Sequence, residues 1–424
     1  MKTLIKNAIL LDMVGEEPNI RKTDILINED TIEKIEDNIT EKCDKIIDAK
    51  EKICMPGIVN THTHLGMSIF KGYKDDNKLM DWLNNVIFPV EDKFTDHEIY
   101  WNSYMSCIEM IKSGTTTFND MYFNMDKVVD VIEQTGQRAV ISWSVTDNSI
   151  RDKFEKTREY FNKYNHTNSL VTIYVSAHAG YTCNPETIKK CVELAKELGT
   201  GIHIHLAETK AEEEIINERY GKTPTEYLKD LGVFDVPVIL AHGVYFSKED
   251  IETLKTIKGG ISHNPISNCK LASGICDVVN LKNNGITVAL GTDGCGSTTT
   301  LDMFEEMRVA GYLQKVSKLD ATCIKAYDIL KMATIEGAKI LGLEHQIGTI
   351  EQGKKADLIL IDIDKTHLYP INDVCSNLVY SATGQDVDTV IINGKTIMEN
   401  RTLQNIDEQK VRKEIQKIQL NLMK

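Results

Sequence analysis

None of the ten cysteines in this 424-residue chain forms a C-x-x-C pair. Cys43, Cys54, Cys107, Cys183, Cys191, Cys269, Cys276, Cys295, Cys323 and Cys375 are scattered, which in a chain this large reads as reduced thiols. A secretion signal is missing too. The short apolar run in "MKTLIKNAILLDMVG" is broken by Asp12, and no small-residue cleavage site follows. No apolar stretch approaches the ~18 residues that a membrane span needs. Positive charge is in deficit: 49 Lys and Arg against 63 Asp and Glu leave a net charge of -14, with no basic stripe. That argues against nucleic acid or an anionic membrane surface as a partner. Internal repeats and low-complexity linkers are also lacking. A cytoplasmic protein with no membrane and no nucleic-acid partner is the expectation.

What remains has a clear rhythm. Both ends are β-like: "TLIKNAILLD", "TDILINED" and "DKIIDAKEKICMPG" at one, "KKADLILIDID" and "DTVIINGKTIMEN" at the other. In the middle, short apolar strands alternate with amphipathic helices. The strands are "GIVNTHTH", "TTTFNDMY", "RAVISWSV", "VTIYVSAHA", "GIHIHLAE", "VPVILAHG", "GGISHNP" and "TVALGTDG"; "PETIKKCVELAKELG" is typical of the helices. Eight such units predict an α/β fold of (β/α)₈ barrel type. The expected division is residues 1–55 and 346–424 as the two parts of a small β-sandwich domain formed by both termini, the latter ending in a helix. Residues 56–345 form the barrel.

The polar residues gather where these strands end. His62 and His64 close the first strand and His178 the fourth. His203, His205 and Glu208 fall in or after the fifth, His242 after the sixth, His263 and Asn264 after the seventh, and Asp293 after the eighth. In a parallel barrel these carboxyl ends meet on one face, where active sites are built. A single His-x-His pair points both rings to one side of a strand, which suits a metal but also suits an ordinary turn. "GTDG" alone is most often a turn, and "SHNPISNCKL" reads as turn and capping chemistry. Together, however, two histidines from strand one, one from strand five and an aspartate from strand eight make a His₃Asp set. His205 is preferred over His203 because it lies nearer the strand end and Glu208. Such donors suit Zn²⁺, and Fe²⁺ or Ni²⁺ as well. Strand four ends in His178 with no lysine or acid to bridge two ions, so one divalent metal per chain is expected.

At this point the chain resembles the amidohydrolase superfamily, and within it the deaminases that act on methylthioadenosine, S-adenosylhomocysteine and related adenosines. The resemblance rests on "MPGIVNTHTHL", "DWLNNVIFPVE", "SGTTTFNDMYF", "HAGYTC", "HIHLAET", "AHGVYFS", "HNPISNCKLASG", "ALGTDG" with "LDMFEEMR", and "GKKADLILID". It implies that His62, His64, His205 and Asp293 are metal ligands. It implies that Glu208 shuttles a proton and that His242, with Asp293, handles the nucleophilic water. Glu91 would accept hydrogen bonds from the ribose and His178 would contact the substrate. It further implies a small-molecule nucleoside substrate and a homo-oligomer. The sequence departs from the family pattern at Gly180, usually Pro, and at Gly243, usually Cys. Relatives that take the homocysteine moiety often carry an arginine where Trp143 stands here, and Arg151 is the nearby replacement as a substrate-binding cation. This leaves room for a less polar 5' group.

The implied activity is hydrolytic deamination of the adenine ring of 5'-modified adenosines, an aminohydrolase reaction on a cyclic amidine. The alternatives are deamination of another heterocycle (guanine, cytosine or a triazine) and a catalytically inactive barrel that serves as a binding protein. Glu91 favours a nucleoside, because a free base has no ribose to hold.

Overall fold

The structure, a computed structural model, describes residues 1–147, 150–165 and 170–422; the side chains of residues 150–152 lie outside that description. Eight parallel strands form the barrel: Ile58–Thr63, Thr115–Tyr122, Arg138–Trp143, a fourth in two pieces (Val171–Ile173 and Val175–Ala179), Ile202–Leu206, Val238–His242, Gly259–His263 and Val288–Leu290. Two hydrogen-bonded runs meet within the fourth strand, where the Tyr174 N–H donates to Ile141 O (3.0 Å) and the Val175 N–H to Gly201 O (3.0 Å). Closure between strands eight and one comes from the Asp293 N–H on His62 O (2.9 Å) and the Thr61 hydroxyl on Leu290 O (2.8 Å).

The strands are apolar on the face that meets the helices. Pro185–Leu198 shows why the helices form. Asn184 accepts the Thr187 N–H as its cap, Pro185 needs no donor in the first turn, and Gly199 ends the helix with φ +65°. Its buried side, Ile188, Cys191, Val192, Leu194 and Ala195, packs into the core cluster with Ile202, Ile204 and Val238. Each aliphatic side chain so buried contributes about 1.5–3 kcal/mol. No described helix is long and apolar enough to cross a membrane.

Among the described residues, nine further strands from both ends of the chain share one sheet. Lys52–Pro56, just before the first barrel strand, pairs antiparallel with Leu358–Asp362, Cys54 opposite Leu360. Ile5, Leu10, Ile25, Ile27, Leu358, Leu360 and Ile391 give this sheet its own buried apolar cluster. The sheet is tied to the barrel by a buried ion pair, Arg138 Nε to Asp357 Oδ2 at 2.8 Å, with Asp357 also accepting the Asn393 N–H at 2.7 Å. The terminal helix Glu408–Leu422 packs Val411 and Ile418 into the cluster that also holds Ile99, Tyr104 and Ile108 of the helix Asp96–Lys112.

Candidate active site

Strand alternation sends His62 and His64 to the same side, and the barrel brings strands five and eight against them. His64 Nε2 lies 3.2 Å from Asp293 Oδ1 and 3.3 Å from His205 Nε2; His62 Nε2 lies 3.4 Å from Asp293 Oδ1. The far nitrogen of each ring is engaged. His64 Nδ1 pairs with Met121 O (2.6 Å), His205 Nδ1 with His178 O (2.7 Å), and His62 Nδ1 with His203 Nε2 (2.9 Å). A backbone carbonyl can only accept, so the ring nitrogen facing it carries the proton: His64 and His205 are protonated on Nδ1 and turn Nε2 inward as the ligating atom. His203 sits one layer deeper, fully buried, with Asn119 Nδ2 donating to its Nδ1 (3.1 Å).

The donor set fits a divalent cation. The ligating atoms of His62, His64 and His205, and those of His62, His242 and Asp293, each lie within 4.8 Å of one another. His62 Nε2 is buried with no hydrogen-bond partner among the described residues, which is costly unless something else meets its lone pair. Asp293 is held for the purpose. Its Oδ2 accepts the hydroxyls of Ser267 (2.7 Å) and Ser297 (2.8 Å), and its Oδ1 accepts the Gly294 N–H (2.7 Å). Burial opposes its charge, but His62 and His64 keep its carboxyl well below the usual carboxylate range.

Beside this set, Glu208 Oε2 lies 3.9 Å from His242 Nε2, and His242 Nδ1 pairs with Asn268 Oδ1 (2.9 Å). Burial pushes Glu208 upward, with His242 opposing and Asp293 reinforcing the shift. Three non-glycine residues at these strand ends are left-handed: Ala207 (φ +54°), His242 (+79°) and Asp293 (+70°). Such conformations cost about 1–3 kcal/mol each and cluster where a side chain must be aimed. Gly243 (φ +61°) follows the same bend, and a Cβ there would lie 2.7 Å from Ile261 Cγ2.

A cavity opens over these groups. His64, His178, His205, Glu208, His242 and Asp293 line one side; Leu79, Trp82, Leu83, Ile87, Phe88 and Glu91 line the other. Tyr122, Phe123 and Ser144 close the edge between them. Glu91 is half-buried, accepts the Tyr122 hydroxyl, and is pushed by burial up to about 7. His178 pairs through Nδ1 with Thr182 Oγ1 (2.8 Å), and burial, with the neighbouring histidines, lowers it to about 3, so its ring is neutral.

The structure therefore gathers His62, His64, His205, Asp293, Glu208 and His242, and sets His178 and Glu91 on the same cavity. Arg151 falls outside the described side chains. Trp143 is buried against Tyr160 (ring centroids 5.2 Å apart) and is not part of the cavity lining. Sequence reasoning missed Tyr122, Ser267, Asn268 and Ser297. Their signal was position: each follows or ends a barrel strand at the carboxyl face, where a polar residue has more than turn chemistry to do. The apolar cover, Leu79 to Phe88, carried no such signal.

A profile of the amidohydrolase family matches residues 53–397. The chain is 48% identical over 429 residues to the 5-methylthioadenosine/S-adenosylhomocysteine deaminase of Thermoanaerobacter pseudethanolicus, covering 100% of both chains. It is 43% identical to a 5'-deoxyadenosine deaminase of Methanosarcina mazei, covering 98% of this chain and 96% of that one. Among solved structures, an adenosine deaminase from Xanthomonas campestris with bound zinc superposes with a TM-score of 0.96 at 29% identity, covering 99% of this chain and 98% of the other. The carboxyl-face histidines and aspartate, the barrel that presents them and these likenesses agree: the chain belongs to the amidohydrolase family, whose site here is built for a divalent metal.

Proposed function

We propose that this protein is a metal-dependent aminohydrolase that converts the adenine ring of 5'-modified adenosines to the inosine-type product and ammonia. Methylthioadenosine and S-adenosylhomocysteine are its main candidates, with 5'-deoxyadenosine and adenosine in the same class. The observation that carries this reading is the pairing of Glu208 beside a His₃Asp donor set with Glu91 across the cavity. The names of its full-length relatives support it. We infer one Zn²⁺ per chain, held by His62, His64, His205 and Asp293. We infer a cytoplasmic protein as well; ten free cysteines support that.

When bound, such a cation supplies a water activated for attack near neutral pH. The chain's own residues do the rest. His242, fixed by Asn268, and Asp293, fixed by two serine hydroxyls, orient that water toward C6 of the adenine. Glu208, which burial keeps protonated to higher pH than a free carboxyl, gives its proton to ring N1 as the C6–O bond forms. It takes up one proton from the water and passes it to the departing amine as the C6–N bond breaks; the water's second proton, left on the C6 oxygen, returns to Glu208 as the C6 carbonyl forms. Water is consumed and ammonia released, with no net change at Glu208. Glu91, steadied by Tyr122, accepts the ribose hydroxyls, and Trp82 and Phe88 keep bulk water off the ring.

The test is kcat/KM for ammonia release over methylthioadenosine, S-adenosylhomocysteine, 5'-deoxyadenosine, adenosine, guanine and cytosine. The nucleosides should exceed the free bases by a wide margin. Preference for a free base would sink the reading.

A further inference from the structure

The carboxyl group of Glu208 accepts no hydrogen bond among the described residues; its Oε2 lies 3.9 Å from His242 Nε2. Its direction must therefore come from the backbone that carries it. That backbone is pinned on two sides. Strand six's loop holds one: the Gly243 N–H donates to Leu206 O (3.0 Å), and the Val244 and Tyr245 N–H groups to Ala207 O (2.8 and 3.0 Å). The other side is held by a single side chain, Glu212, whose Oε2 accepts the Glu208 N–H at 2.8 Å.

The placement of Glu212 is unusual. It is the third residue of the helix Lys210–Tyr220, capped by Thr209 Oγ1, which accepts the Glu212 N–H at 3.2 Å. A glutamate at that position ordinarily reaches back to the N–H of the capping residue itself. Glu212 reaches one residue further, to Glu208. It is only 2% exposed and does not line the cavity. Burying a carboxyl is costly unless its hydrogen bonds are worth having. Here they hold the turn that follows left-handed Ala207 and aims Glu208.

We propose that Glu212 is a positioning residue: its carboxyl holds the backbone of Glu208 and so sets the direction in which the proton-carrying group enters the cavity. This rests on the reading of Glu208 as the proton carrier. It predicts that Glu212 acts on turnover through Glu208, and not on substrate or metal binding.

The experiment is a double-mutant cycle in the full-length metal-loaded enzyme, reading kcat, KM and bound metal for Glu208→Gln, Glu212→Leu, Glu212→Gln and the pair Glu208→Gln with Glu212→Leu. Glu212→Leu, which leaves the Glu208 N–H unmet, should lower kcat about 10- to 100-fold, the scale expected for misplacing a reacting group by about 1 Å. KM and metal content should hold. Glu212→Gln keeps an acceptor at the same reach and should restore most of the rate. In the Glu208→Gln background, Glu212→Leu should cost less than about twofold, because the group it aims is gone. If Glu212→Leu does not fold, Glu212→Asp, which shortens the reach by one methylene, takes its place with the same expectation. A Glu212 variant with near wild-type kcat, one that loses metal in step with activity, or a penalty that persists undiminished without Glu208, overturns the positioning role. Near-full turnover by Glu208→Gln alone would overturn the reading of Glu208 itself, and the positioning role with it.

Discussion

The two sides of the cavity are built differently. On the metal side, every side chain sits on a barrel strand or within three residues past its end, and the ligands' far ends are tied down: His64 to Met121, His205 to His178, His62 to His203, Asp293 to two serines. The facing side comes from one stretch, residues 71–92, assembled from short turns. Gly72, Lys74 and Asp76 are left-handed, and a four-residue helix (Leu79–Trp82), a π-helical turn (Leu83–Ile87) and another short helix (Phe88–Glu91) follow. It is fastened by Trp82 packing on Gly296, by Tyr122 on Glu91, and by polar contacts nearer the surface: Lys71 with Glu109, and Asp75 with Lys270 at 2.9 Å. The chemistry is held by strand ends with paired side chains, and the substrate is covered by short turns fastened at a few points. A site of this kind can keep one reaction while its cover changes which substrate it admits.

Perturbing three places breaks or sharpens that contrast. The largest effect belongs to the metal side. Dialysis against a chelator should take ammonia release to background, and one equivalent of zinc per chain should restore it; metal analysis that found two ions would end the single-ion reading. Next comes Glu91, the one charged group on the covering side of the cavity. Glu91→Ala should raise KM roughly 10- to 100-fold, the scale of one hydrogen bond to a charged group, and leave kcat nearly unchanged. Burial raises Glu91 from 4.5 to about 7, so its carboxyl is mostly protonated at pH 6 and mostly ionised at pH 8. The ionised form is the better acceptor for ribose hydroxyls. Wild-type kcat/KM should accordingly climb with pH through this range, and Glu91→Gln should lose that climb. The smallest effect belongs to the outer fastening. The Asp75–Lys270 pair is 31% and 25% exposed, so Asp75→Asn should change kcat/KM by less than about fivefold. A larger change would mean that the cover is held mainly by that one pair.

The same contrast decides what could be read in advance. His62, His64, His205 and Asp293 were legible because strand periodicity and parallel topology together dictate where a strand's last residues point. All eight barrel strands lie within the stretches read from the sequence, although Tyr174 interrupts the fourth and the eighth is only Val288–Leu290. Ser267 and Ser297 were not legible as partners of Asp293, because short turns point their side chains only once the loops have packed. Glu306 shows how that packing is done. Buried, it accepts the Ile266 N–H (3.0 Å) and the Thr298 hydroxyl (2.9 Å), joining the two loops that carry those serines. Nothing in "LDMFEEMR" says that its second glutamate bridges two distant turns. Residues 79–88 offered apolar side chains without a period, and their direction depends on Gly296 and Tyr122, far along the chain or across the barrel.

The pairing of Lys52–Pro56 with Leu358–Asp362 has a consequence for how the molecule is made. Residue 54 meets residue 360, so the sheet at the barrel's flank stays unfinished until nearly the whole chain has left the ribosome. During that interval the strand leading into the first metal-side histidines has an open edge, and open edges invite pairing with other chains. Contacts this distant in sequence also form slowly. The two ends of the chain work as a clasp that the last strands to be synthesised must fasten. A chain cut short before residue 358 would leave the strand that feeds His62 and His64 paired on one edge only, with Lys2–Leu11.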